Sequence, residues 1–191
     1  LAAGCATTSG PGRLDARLVE LAAASATAQK FEMHPDEGGA LVKLTVEHGD
    51  ADRVPEAVRR LAAEKFPGGK VTGYETESYA GEPGLVYEVE MDTADGKHCE
   101  ISATEAAALR YTECRMKPDE LPEAVAKALA AALPGAEIEE IERVSGPSMP
   151  AEEIRVEARA GGRKHYLRFD PSGAVTRHGV VLPGEIEVRA K

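Results

Sequence analysis

Residues 54–68 read VPEAVRRLAAEKFPG and residues 121–135 read LPEAVAKALAAALPG, one plan written twice at an offset of 67 residues. A proline near the start of a helix removes an N–H that has no partner there, and Pro-Gly stops a helix at its end. Between these marks the apolar residues recur at helical spacing: Val54, Val58 and Leu61 with Phe66, then Leu121, Val125, Leu129 and Leu133. Two helices are expected, with Asp52 and Asp119 just ahead of them as caps.

The correspondence runs on past the helices. Val71 and Tyr74 match Ile138 and Ile141, and each pair stands three apart where a strand would place them two apart, so a β-bulge is expected at the same point in both copies. The next strands alternate. VYEVEMD sends Tyr87, Val89 and Met91 one way and Glu88, Glu90 and Asp92 the other, and IRVEAR separates Ile154, Val156 and Ala158 from Arg155, Glu157 and Arg159. For the third strands, an offset of 66 pairs Cys99, Ile101 and Ala103 with His165, Leu167 and Phe169. The apolar positions fix that register, which makes the recurrence of Lys-His at 97–98 and 164–165 a coincidence.

The reading that follows is an α+β protein of two tandem repeats, each a helix packed on a roughly three-stranded antiparallel sheet, preceded by a short helix and a β-hairpin. Its parts are a tether at 1–13, the helix and hairpin at 14–51, repeat 1 at 52–118 and repeat 2 at 119–191. RLDARLVELAAASATAQ supplies the helix, and KFEMH and ALVKLTVEH flank the PDEGG turn of the hairpin.

The [VL]PEAV helix closed by Pro-Gly, the bulged strand, the YEVE strand and the YLRFDPSGAV ending resemble the PepSY-like repeat, over roughly residues 52–106 and 119–176. Repeat 1 departs from it at CEISATEAA, which lacks the Asp-x-x-Gly turn. The resemblance implies a non-enzymatic binding or inhibitory module of the bacterial envelope, related in shape to the tandem β-lactamase inhibitor proteins. The start, LAAGCATTSGPG, resembles the end of a bacterial lipoprotein signal with Cys5 as the lipidated residue, although Ala2 stands where that pattern prefers Leu.

Setting Cys5 aside leaves Cys99 and Cys114 of the three cysteines. Outside the cytosol such a pair usually forms a disulfide, and in the cytosol it would be two buried thiols. A net charge of −10, from 33 acidic and 23 basic residues, argues against a nucleic-acid surface, as does the absence of Trp. The sequence contains no Gly-rich phosphate loop, HExxH, CxxC, Ser-x-x-Lys or Gly-x-Ser-x-Gly. His34, His48, His98, His165 and His178 are scattered without ligand spacing. No enzyme activity, cofactor or metal site is expected.

Function is therefore expected in a lipid-anchored, monomeric envelope protein that meets the membrane only through its anchor. It would bind a protein or peptide, possible inhibition included, through the open face of the sheet. A small-ligand or metal sensor and a structural envelope component are the alternatives. Strand parity places Glu88, Glu90, Asp92 and Glu100 on that face in repeat 1, and Arg155, Arg159, Tyr166 and Arg168 in repeat 2. Acidic and basic halves either meet in one continuous sheet and pair across strands, or stay apart as a two-signed docking surface.

Overall fold

The computed structural model describes residues 28–36 and 38–183. The tether, Cys5 and the expected helix up to residue 27 lie outside them, while Ala28 and Gln29, the last two residues read as helix, belong to a strand. Ten strands follow in chain order: β1 (Ala28–Pro35), β2 (Leu41–His48), β3 (Lys70–Tyr79), β4 (Val86–Asp92), β5 (His98–Thr104), β6 (Leu109–Arg115), β7 (Glu137–Ser145), β8 (Glu153–Ala160), β9 (Arg163–Phe169) and β10 (Val175–Val181). Two helices interrupt them, α1 (Glu56–Lys65) between β2 and β3 and α2 (Glu123–Ala132) between β6 and β7.

All ten strands form a single antiparallel sheet in which each pairs with its neighbours in sequence. This corrects the expected fold class. The protein is mainly β, and the α+β arrangement of two repeats with separate three-stranded sheets is overturned by the pairing of β6 with β7, which carries one sheet through the whole molecule. β6 and β10 are the strands the sequence reading did not foresee.

Both helices begin where the prolines direct. Pro55 and Pro122 occupy the position before the first helical residue, with φ of −53° and −55°, so each is already set for the turn that follows. Neither helix has a side-chain cap, and the Asp52 and Asp119 caps are not formed. Instead Asp50 accepts from the Asp52 backbone N–H at 3.0 Å and caps the short 3-10 turn Ala51–Arg53 ahead of α1. The bulges lie where the three-residue spacing puts them, with register shifts between Val71 and Gly73 and between Ile138 and Glu140.

The helices cover one face. Val58 and Ala62 of α1 pack with Leu44, Val46, Val89 and Ile101, and Val125 and Leu129 of α2 pack with Ile141, Val156, Leu167 and Phe169. Residues directly opposite one another in a register share a face. Ile101 shares one with Cys99, Cys99 pairs with Cys114, Cys114 with Arg143, and Arg143 with Ile141 two residues back, so both helices lie on the same side. Cys99 and Cys114 are joined by a disulfide across the β5–β6 pair, with S–S 2.08 Å.

Candidate functional site

The side of the sheet opposite the helices is lined by the polar half of each alternation. Lys43 and Thr45 come from β2, Glu75, Glu77 and Tyr79 from β3, Glu88 and Glu90 from β4. Glu100 and Ser102 of β5, Tyr111 and Glu113 of β6, Glu142 of β7, Arg155 of β8, and Tyr166 and Arg168 of β9 continue the row.

This face is not flat. Lys43 on β2 is close enough to Tyr166 on β9 to act on its hydroxyl electrostatically, although seven strand spacings would separate them by roughly 34 Å in a flat sheet. The sheet curls, and its polar face lines the inside of the curl. Strand twist and repeated bulges produce that curvature.

Curling explains the burial of groups expected to be wet. Glu77 is fully buried, and Glu88 and Glu113 are each 3% exposed. Each finds a partner on the same face. Tyr111 donates to Glu88 at 2.5 Å, Tyr79 donates to Glu77 at 2.7 Å, Lys43 forms an ion pair with Glu77, and Arg155 reaches across β7 to Glu113. Arg155 also stacks over the Tyr111 ring at 5.1 Å, and Arg168 lies 5.5 Å from the Tyr166 centroid.

Carboxylates outnumber cations inside the curl, and their acidities respond. Burial, with the charges of Glu88 and Glu77, pushes Glu75 up to about 9. Burial and the Glu77 carboxylate push Glu88 up to about 7. Burial and a hydrogen bond with Glu113 push Glu142 up to about 10, and burial with Glu88 and Glu113 holds Glu100 well above the carboxylate range. Burial works to lower Lys43, yet Glu77 and Glu88 hold it well above its ordinary value.

The expected site residues are placed unevenly. Glu88 is buried, Arg155 is largely enclosed, and Glu90, Glu100, Tyr166 and Arg168 are half-buried. Asp92 and Arg159 are exposed at the rim, Asp92 against His98 at 3.1 Å and Arg159 against Glu139 at 2.7 Å. The acidic and basic groups belong to one continuous sheet and are paired largely within their own halves, with the Arg155–Glu113 and Arg115–Glu140 ion pairs bridging them. Lys43, Glu75, Glu77, Tyr79, Tyr111 and Glu113 were missed. Extending the alternation of GYETESY to Tyr79 would have put Glu75, Glu77 and Tyr79 on the face of Glu88.

Residues 55–110 match the model of the family described as "Peptidase propeptide and YPEB domain". No curated protein matches the chain. A protein described as periplasmic from Bacteroides eggerthii DSM 20697 shares the fold at a TM-score of 0.55 and 17% identity, covering 66% of this chain and 88% of its own. A DUF2874 family protein from Bacteroides uniformis ATCC 8492 does so at 0.54 and 19%, covering 66% and 89%. A BLIP-like protein from Bacteroides fragilis NCTC 9343 matches at 0.53 and 19%, covering 73% of this chain and 98% of that one. With helices on one side of a curled sheet and a polar lining on the other, this chain shares its fold with these proteins, one of them described as BLIP-like, and its residues 55–110 are similar to the PepSY family.

Proposed function

We propose that this chain is a non-catalytic protein of the bacterial envelope that binds another protein or peptide through the polar face of its sheet. The observation that carries the reading is the one-sided covering of the sheet: both described helices and both apolar clusters lie on one face, and the other presents charged and tyrosine side chains with no helix over them among the described residues. Tyr166 beneath Arg168 is a pre-set pair of the residue types that dominate protein-binding hot spots. The Cys99–Cys114 disulfide suits an oxidising compartment, and a periplasmic description attaches to one protein of the same fold. Anchoring through a lipid on Cys5, a monomeric state and action as an inhibitor belong to the same proposal.

In this reading the contacts are the exposed Arg159 and the half-buried Glu90, Tyr166 and Arg168. Glu88 and Arg155 are committed to buried partners, whereas Glu90, Arg159, Tyr166 and Arg168 remain reachable. The test is capture from envelope extracts with the wild-type chain and with a Glu90→Lys, Arg159→Glu, Arg168→Glu variant. Loss of a captured partner by about tenfold or more, with an unchanged thermal transition, supports the reading. Equal capture by the folded variant at low salt removes the polar face as the site.

A further inference from the structure

Inside the curl, three carboxylates from two adjacent strands converge. Glu75 and Glu77 of β3 and Glu88 of β4 each bring an oxygen within 4.8 Å of the other two. Glu75 lies directly opposite Glu88 in the register, while Glu77 is opposite Val86, two residues before Glu88. Three carboxylates face one ammonium, that of Lys43, so the fully ionised cluster carries two uncompensated negative charges in a site where Glu77 is fully buried and Glu88 nearly so.

A second feature points to a ligand independently of the acids. Ser102 is fully buried and its hydroxyl has no hydrogen-bond partner. It stands opposite Glu88 on β4 and opposite Tyr111 on β6, so its side chain projects onto the same face, under the Tyr111–Glu88 hydrogen bond. A buried hydroxyl in a native fold is almost always partnered, and one left over beside Glu88 of the cluster is an unused oxygen ligand.

We propose that Glu75, Glu77 and Glu88, together with the Ser102 hydroxyl, form a binding site for one divalent cation of the oxygen-preferring class, with Ca2+ as the fitting ion. Carboxylate and hydroxyl oxygens without sulfur or imidazole exclude a soft-metal site. One doubly charged ion matches the uncompensated charge, while Lys43 keeps its hold on Glu77. Ca2+ accepts irregular sets of six to eight oxygens, as ligands fixed on two strands would supply, whereas Mg2+ demands a near-ideal octahedron.

The experiment is calorimetric titration of the full chain with CaCl2 at pH 7.5, with MnCl2 as a spectroscopic probe of the same site. One saturable ion per chain and a saturating rise in melting temperature are expected. Glu75→Gln lowers affinity by about tenfold or more, and Ser102→Ala by a smaller measurable factor. Asp92→Asn with Asp95→Asn, at exposed acids, leaves affinity unchanged. Ser102→Ala removes only one oxygen and keeps the carboxylates, so it tests the site even if Glu75→Gln disturbs the fold. The proposal is overturned by an absence of saturable binding, or by affinity that follows the exposed pair and ignores Glu75 and Ser102.

Discussion

Glu88 lies between Glu75 and Ser102 in one row across the sheet, so its neighbours decide whether it carries charge. In the unfolded chain Glu75 and Glu88 would ionise near 4.5, whereas burial keeps Glu88 protonated up to about 7 and Glu75 up to about 9. Between those limits the folded state holds more protons than the unfolded one. The stability these groups contribute is therefore complete below about 4.5 and is lost as pH rises through 7 and then 9. Glu32 works in the opposite sense. A hydrogen bond with His34, against burial and with help from Lys30, draws it down to about 2, so its contribution is lost only in acid. Melting temperature measured with a chelator present is expected to be higher at pH 5.5 than at pH 8.5, and Glu75→Gln is expected to flatten that fall. About 2–4 °C corresponds to each kcal/mol in a chain of this size. A curve that rises from 5.5 to 8.5 would mean that these carboxyls are ionised in the fold. Arg155 and Glu113 provide a second residue-scale test. Arg155→Met strands a 3% exposed carboxylate and is expected to cost about 3–5 kcal/mol, while adding Glu113→Leu should recover much of the loss. Denaturant midpoints for the two variants check both statements.

Among the elements, those that obey one period along their length were readable and those that do not were missed. The helices, both bulges, the β1–β2 hairpin and the alternating strands β4 and β8 follow from spacing alone, because burial of one face imposes that spacing. β6 escaped because LRYTECR is not a clean apolar alternation: Tyr111 is buried on the polar face, and the apolar face receives Thr112 and Cys114. β10 escaped because it is an edge strand with exposed side chains and little burial to leave a pattern. The candidate site was half legible. Parity told which residues share a face, but the curl that buries them is a sum of twists over ten strands, and no local window contains it. The β9–β10 connection shows how a turn can be tied to distant packing. Asp170 accepts from the Ser172 and Ala174 backbones at 2.9 and 3.0 Å, and Gly173, at φ +89°, would place a Cβ 2.7 Å from the Ala124 carbonyl at the start of α2. Gly173→Ala is expected to cost about 1–3 kcal/mol by combined backbone strain and contact, read from chemical unfolding.

For the whole molecule, the junction between β6 and β7 decides whether two helix-backed halves behave as one body. Only four residue pairs join these strands, Thr112 to Arg115 against Ser145 to Glu142, whereas seven join β4 to β5. The two apolar clusters lie on either side of this seam with no buried residue in common. What reinforces the seam is therefore polar and local: the Arg155–Glu113 and Arg115–Glu140 ion pairs, the Cys99–Cys114 disulfide beside it, and the close approach of Gly146 just beyond β7. A Cβ on Gly146 would stand 2.3 Å from Tyr111 Cα and 2.4 Å from the Arg110 carbonyl oxygen, and backbone atoms cannot rotate away as a side chain could. Gly146→Ala must therefore push β6 and the chain after β7 apart. Because β6 also carries Tyr111 and Glu113, the shift loosens their hold on Glu88 and Arg155 inside the curl. The expected outcome is a loss of about 2–4 kcal/mol and faster amide exchange at residues 112–115 than at residues 87–91. Gly179→Ala on the edge strand, where a Cβ meets nothing closer than 3.9 Å, is the matched control and is expected to change stability by under about 0.5 kcal/mol. Equal effects from the two substitutions would show that the seam is not where the halves are coupled.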